Sequence, residues 1–418
     1  MKLLHTSDWH LGAKLGRHDR TPDHVEALRG LLDLAERVRP DLILHTGDLF
    51  DQSRPPYEAL ELGVQALNRL AAVAPTLVLS GNHDSPVLLR VIDSLAGAAS
   101  PRRLRLVTEP RVVPYPDVAQ EPVAVACVPF VQPSAVADYS GGDAPRFEGD
   151  YADGIRTLND SLLEEAHRSV RPHGVVLYAA HLHVHGAQPG RSERRITVGD
   201  DYATPVEGLH RAHYCAFGHI HDPQLLPGGT AQGRYAGSLI ALDFGERRQA
   251  KQAVVASIGD GVQVETHELP GGRPLVEFRG TPAELEARAR DGGLDGCILK
   301  ARVVSDDPLP DLADRLADWA PDCAVFELIN TVENRPVKAV EGGGEEGAEP
   351  GLEELFEEWR TGAARGAKAP QGAVADLFRQ ALGSAGQDAR PDFGLTALGL
   401  QAEETLGALA RRRSGGPG

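Results

Sequence analysis

The chain has 418 residues, of which 41% are hydrophobic, and its 60 acidic against 43 basic residues give a formal net charge of −17. That length suits two or three domains with sizeable cores, and the acidic balance argues against a protein that grips nucleic acid by bulk electrostatics alone. Cys127, Cys215, Cys297 and Cys323 are scattered with no C-x-x-C pair, no run approaches the roughly 20 apolar residues of a membrane span, and Met1 to Asp8 lack a signal peptide's apolar run, so a cytoplasmic protein without a disulfide framework is expected.

The first third alternates short apolar runs with helical patterns, the form of stacked βαβ units. Lys2 to Thr6 reads as a strand. Val25, Leu28, Leu31, Leu32, Ala35 and Val38 then recur at helical spacing, with Thr21 placed to cap and Pro22 at the first helical position. Leu42 to Thr46 is the next strand, Tyr57 to Ala72 the next helix, and Thr76 to Ser80 a third strand. Ser85 and Pro86 repeat the cap-then-proline start for a helix to about Ala96. Val123 to Val128, Val175 to Ala180 and His213 to Phe217 suit further strands, and Ala253 to Ile258 and Val262 to His267 close the sheet.

Leu269 to Pro274 is a cluster of turn formers and predicts a domain boundary, dividing a domain over 1–268 from a small α+β domain over 269–340. Within the latter, Leu275 to Phe278, Cys297 to Val304 and Ala324 to Ile329 suit strands, and Thr281, Pro282 and Glu284 form a capping box. Residues 341–350 are Gly- and Glu-rich and predict a flexible acidic linker. Beyond it, Leu352, Leu355, Phe356 and Trp359 make one apolar stripe and Val374, Leu377, Phe378 and Leu382 another, so 351–412 reads as helical and 413–418 as a disordered tail. Such stripes pack either on the chain itself or on a partner.

Polar residues recur where predicted strands end, the edge at which open α/β sheets bind ligands. Asp8 and His10 follow the first strand, Asp48 the second, and Asn82, His83 and Asp84 the third, while His181 follows a fourth and His219 and His221 a fifth. Any one of these is weak. Five convergent strand ends point to a metal site, with His5, His18, His45, His173 and His267 left as bland histidines. Imidazole, carboxylate and amide donors without thiolate suit Mn²⁺, Fe²⁺ or Zn²⁺, with Mn²⁺ preferred, and Asp48 is the candidate carboxylate between two ions.

In this order Asp8-x-His10, Gly47-Asp48, Gly81-Asn82-His83-Asp84, a later His and Gly218-His219-Ile220-His221 resemble the calcineurin-like metallophosphoesterases. More narrowly, Ser7 to Gly12, Gly47 to Asp51 and Gly218 to Asp222 are similar to the SbcD components of bacterial SbcCD nucleases. The resemblance implies a four-layer α/β fold, two central mixed sheets flanked by helices, with a small α+β cap that binds DNA and a C-terminal helical tail. It implies two divalent ions, one held by Asp8, His10, Asp48 and His221 and the other by Asp48, Asn82, His181 and His219, with His183 or His185 as alternatives to His181. His83 would be the catalytic histidine, stabilising the phosphorane-like charge or protonating the leaving oxygen, oriented and charged by Asp84. Asp51 stands where archaeal and eukaryotic relatives carry His. The implied activity is that of a DNA exonuclease (double-strand, 3′–5′) and single-strand or hairpin endonuclease in repair, recombination and replication. Its implied partner is a coiled-coil ABC-type ATPase docked on 351–382, in a heterotetramer containing a nuclease homodimer. Arg102, Arg103, Arg105, Arg191, Arg194 and Arg195 are candidate phosphate contacts. The acidic charge supports a rival, a small-molecule phosphodiesterase or phosphatase of the same superfamily.

Overall fold

The computed structural model describes residues 1–99, 101–118, 121–133, 135–136, 151–190, 192–193, 203–229 and 231–332. The predicted linker, helical segment and tail beyond residue 340 lie outside these, as do Arg191, Arg194 and Arg195. In chain order the first elements are β1 (Lys2–Thr6), β2 (Lys14–Leu15), β3 (His18–Asp19), α1 (Thr21–Val38), β4 (Leu42–His45), α2 (Tyr57–Val73), β5 (Thr76–Leu79) and α3 (Pro86–Ala96). Next come β6 (Leu104–Val107), β7 (Arg111–Tyr115), β8 (Val123–Val128), α4 (Tyr151–Ser169), β9 (Val175–His181), β10 (Tyr214–Gly218), β11 (Gln224–Leu225) and β12 (Gly233–Tyr235). The last are β13 (Gln252–Ile258), β14 (Val262–Glu268), β15 (Leu275–Gly280), α5 (Pro282–Arg290), β16 (Ile298–Ser305), α6 (Leu312–Trp319) and β17 (Ala324–Val332).

Two six-stranded mixed sheets form the centre, in the orders β14-β13-β1-β4-β5-β6 and β11-β12-β10-β9-β8-β7. Strands β1, β4, β5 and β6 are parallel, as are β8, β9, β10 and β12. The two late strands β13 and β14 extend the first sheet antiparallel beside β1. Three apolar layers hold this together. Leu28, Leu31, Leu67 and Leu70 of α1 and α2 pack on one face of the first sheet. Leu3, Leu44, Leu77, Val125, Leu177 and Ala216 fill the space between the sheets, and Ile155, Leu158, Leu162 and Leu163 of α4 cover the far face of the second. Because both faces of β4, β8 and β9 are covered, these strands read LILH, VAVACV and VVLYAAH and are buried throughout. The result is the expected α/β/β/α four-layer arrangement.

Strands β15, β16 and β17 form a separate parallel sheet with its own core under α5 and α6, including Phe278, Leu285, Leu299 and Leu316. Thr281 and Glu284 make the predicted capping box at the start of α5. This small sheet is pinned to the large layers by Arg273, whose Nη2 lies 2.8 Å from Asp23 of α1, by Arg247–Glu277 at 2.9 Å, and by Phe244 against Phe326. It also brings Cys297 and Cys323, 26 residues apart, to an Sγ–Sγ distance of 3.6 Å, because they precede neighbouring strands in register.

Two local expectations are corrected. Thr21 begins α1 rather than capping it: the N-cap is Arg20, and the Thr21 hydroxyl donates to Asp19 instead. His5 and His45 are not surface residues but are buried between the layers, His5 against Tyr214 and Thr46 and His45 edge-on to Trp9. Among the described residues no helix is long and apolar enough to cross a membrane.

Candidate metal centre

Past their last paired residues, the strands of both sheets enter turns that few side chains tolerate. Asp8, His10, Asp48 and His219 have φ of 49°, 47°, 54° and 97°. The only other non-glycine residue at positive φ among those described is Arg39, the C-cap of α1. Each such residue stores about 1–3 kcal/mol and persists only where its surroundings enforce it. The enforcement is visible. Asp8 N donates to Gly47 O at 3.0 Å, His10 N to Asp48 O at 3.1 Å and Leu11 N to Leu49 O at 3.0 Å, so β1 and β4 stay zipped beyond their ends. His219 N donates to Asp8 Oδ1 at 3.0 Å, and His83 N to Asp48 Oδ1 at 2.8 Å, which ties in β10 and β5.

Two glycines permit the crowding. A Cβ on Gly47, itself at φ 104°, would stand 2.3 Å from His181 Nδ1, and one on Gly81 would stand 2.1 Å from Asp48 Oδ1. Asp84 closes the arrangement: its carboxylate accepts from Gly81 N at 2.9 Å, Phe50 N at 3.0 Å and Leu49 N at 3.2 Å, pinning the β4 and β5 turns together.

The side chains then converge. His10 Nε2 and His221 Nε2 are 3.1 Å apart, and Asp48 Oδ2 lies 3.6 Å from His10 Nε2 and 3.4 Å from His181 Nε2. Asn82 Oδ1 lies 2.9 Å from both His181 Nε2 and His219 Nδ1. Donor atoms within 4.8 Å of one another define the overlapping triads Asp8–His10–His221, His10–Asp48–His83 and Asp8–Asp48–His181. All seven predicted ligands are thus brought together, and His83 stands beside them, its ring 4.7 Å from that of His10. Of the alternatives to His181, His185 is exposed, with its backbone N–H on Thr204, and His183, itself buried, follows the strand by two residues with its carbonyl accepting from Thr204 N at 2.8 Å.

Hydrogen bonds on the far ring nitrogens fix the tautomers. His181 Nδ1 faces the Thr46 carbonyl at 2.8 Å, His83 Nδ1 the Asp51 carbonyl at 2.7 Å, and His221 Nδ1 the Glu246 carboxylate at 3.2 Å. Those oxygens can only accept, so Nδ1 carries the proton and Nε2 of His181 and His221 offers its lone pair to the cluster. Burial alone would lower both rings' pKa, but Asp48 beside His181 and Glu246 beside His221 raise each to about 9. Burial also opposes ionisation of Asp48, yet His181, His10 and His83 hold its carboxyl well below the usual range. A cation entering here displaces protons from imidazoles that its own charge replaces.

A family model described as calcineurin-like phosphoesterase matches residues 1–223. The chain belongs to that family. It is 31% identical to the SbcD component of the Bacillus subtilis SbcCD nuclease over 294 residues, covering 67% of this chain and 72% of that one. It is 28% identical to the same component from Escherichia coli K12, covering 79% of this chain and 84% of that one, and 28% identical to that of Rhodobacter capsulatus, covering 75% and 80%. The donor chemistry of these residues, imidazole nitrogens with two buried carboxylates and an amide oxygen, fits a pair of divalent cations.

Further groups hold these side chains, and of them Glu193, Glu246 and Lys251 carried no sign of their role in the sequence. Asp51 lies 3.4 Å from His10 Nδ1 through its carboxylate while its carbonyl holds His83. Glu193 accepts from His221 N at 2.9 Å, and Glu246 and Lys251 form a buried pair behind the same ring. Asp84 was expected to orient His83; both its oxygens serve backbone amides, because the β4 and β5 turns need an acceptor there. The expected phosphate contacts Arg102, Arg103 and Arg105 are engaged within the chain, by Asp93, by the Val73 carbonyl and by the Tyr115 ring.

Proposed function

We propose that this chain is a Mn²⁺-dependent DNA nuclease component that acts with a coiled-coil ABC-type ATPase in DNA end processing. The observation that carries the reading is the convergence of seven donor side chains and His83 at five strand ends, in a chain similar over most of its length to the SbcD components of SbcCD nucleases. Asp8, His10, Asp48 and His221 would hold one ion and Asp48, Asn82, His181 and His219 the other, with Asp48 between them. When bound, the ions supply Lewis acidity toward a phosphodiester and make water acidic enough to attack near neutral pH. His83 donates a hydrogen bond from Nδ1 to the Asp51 carbonyl, which leaves Nε2 as the ring atom that would exchange a proton with the leaving oxygen. Asp84 keeps the turn carrying Asn82 and His83 in place.

The remaining assignments follow the same reading. Residues 269–340 form a cap that helps bind DNA, and 351–382 dock on the ATPase. A homodimer within a heterotetramer is supported by α3, whose Val87, Val91 and Leu95 are spaced four apart and are 62%, 52% and 72% exposed, directly after the His83 turn. A run of apolar side chains on one helix face suits a self-complementary contact. Double-strand 3′–5′ exonuclease and hairpin endonuclease activities are the reactions to test. Purified chain with Mn²⁺ should degrade linear and hairpin DNA, with ATP dependence only when the ATPase is present. The net charge of −17 favours the rival small-molecule phosphodiesterase, and intact DNA together with efficient hydrolysis of a cyclic nucleotide would decide for it.

A further inference from the structure

Glu246 is the most enclosed charge near the centre that the proposed chemistry does not use. It is 0% exposed, and Asp243, whose side chain accepts from Gly245 N and Glu246 N, fixes the turn that carries it. Its Oε2 accepts from Lys251 Nζ at 2.6 Å, Ser238 Oγ at 3.1 Å and Leu242 N at 3.2 Å. Its Oε1 lies 3.2 Å from His221 Nδ1 and also accepts from the Ser192 hydroxyl, which itself sits 2.7 Å from the same ring nitrogen. Lys251, 3% exposed, reaches past Glu246 to the His221 carbonyl at 3.2 Å. With Glu193 on its backbone N–H, His221 is gripped at amide, carbonyl and ring by buried charged groups.

We infer that Glu246, neutralised by Lys251, is a positioning residue for His221 that makes the Asp8–His10–Asp48–His221 position the tighter of the two ion positions. The inference rests on the metal reading above. A carboxylate on Nδ1 does two things that the carbonyl behind His181 does less well. It excludes the Nε2–H tautomer, and it adds electron density to the ring, which makes Nε2 a stronger donor. His10 of the same set has the Asp51 carboxylate 3.4 Å from its Nδ1 without a hydrogen bond to it, whereas His181 of the other set has the Thr46 carbonyl at its Nδ1. One position thus holds an imidazole backed by a buried carboxylate, and the other an imidazole backed by a carbonyl. Lys251 lets a full negative charge remain on a fully buried carboxylate, and it holds the backbone of the residue whose ring that charge orients.

The test is Mn²⁺ binding to the full chain by titration calorimetry, with circular dichroism and melting temperature as controls. Glu246→Gln alone leaves Lys251 buried beside a neutral group, so it is paired with Glu246→Gln/Lys251→Met, which removes both charges. Wild-type chain should bind two ions of unequal affinity. The double variant should melt close to wild type, keep the weaker ion unchanged and bind the tighter one about 10- to 100-fold less well. Unchanged affinity for both ions would overturn the inference. So would joint loss of both ions with a collapse in melting temperature, which would leave Glu246 a structural role alone. Failure of the wild-type chain to bind Mn²⁺ would overturn it by a separate route, since the metal reading itself would then fall.

Discussion

Gly81→Ala isolates the geometric claim from any assumption about substrate. Gly81 is not at positive φ, so alanine fits the backbone there, and the cost is steric. The added Cβ would lie 2.1 Å from Asp48 Oδ1 and 2.4 Å from Asp48 N, where ordinary contact starts near 3.4 Å. Rotating the carboxylate relieves the first clash only. The second needs the β4 turn to retreat by about 1 Å, against the His10 N to Asp48 O bond of 3.1 Å and the three amides on Asp84. Displacement of a catalytic group by about 1 Å costs roughly 100-fold, or about 2.7 kcal/mol. Because Asp48 is assigned to both ions, calorimetric titration with Mn²⁺ should show both affinities falling, and any phosphodiesterase activity should fall about 100-fold. Gly259→Ala, whose Cβ meets nothing within 4 Å, is the matched control. Wild-type affinity for both ions in a folded Gly81→Ala chain would refute the packing argument at the centre of the site.

Other outcomes follow from single contacts. His83→Ala should retain both ions while turnover drops about 10²- to 10⁴-fold, the usual worth of a positioned acid; loss of the ions would make His83 structural. Arg273→Ala should destabilise the chain by about 1–2 kcal/mol, discounted because Arg273 is 31% exposed while Asp23 is 2% exposed. Burial would raise the Asp23 carboxyl, but hydrogen bonds from Arg273 and Arg20 lower it below 3.8, so this contribution is complete at neutral pH and lost as pH falls through the depressed value. Urea melts should therefore show wild type and variant separated at pH 7 and converging below about pH 4; a constant gap would contradict this. Mild peroxide should join Cys297 to Cys323, seen as a linked peptide, and leave buried Cys127 and Cys215 as thiols; modification of Cys127 first would contradict the geometry.

The strands and helices that place the site were legible because their patterns are local. Leu28, Leu31, Leu32 and Ala35 announce α1, Ser85 does cap α3 by accepting from Leu88 N, and the all-apolar β8 and β9 announce burial on both faces. Strand ends then mark the candidate ligands, since Asp8, His10, Asp48, Asn82, His181, His219 and His221 each follow an apolar run within a few residues. What escaped the sequence is what depends on pairing across the fold. Short strands such as β11 and β12 carry too little pattern, and α4 went unmarked although Ile155, Leu158, Leu162 and Leu163 hold helical spacing. Glu246 and Lys251 look like surface charges between turns, and only the placement of β13 beside β1 buries them behind His221. The closeness of Cys297 and Cys323 likewise depends on the β16–β17 register, and the role of Asp84 on the Leu49 and Phe50 amides in the turn after β4.

The most direct test of the account is anomalous diffraction at the manganese edge from crystals of the full chain grown with Mn²⁺. Two peaks are predicted, one among Asp8, His10, Asp48 and His221 and one among Asp48, Asn82, His181 and His219, with Asp48 contacting both. A single peak, a peak away from these side chains, or none at saturating Mn²⁺ would contradict the central claim.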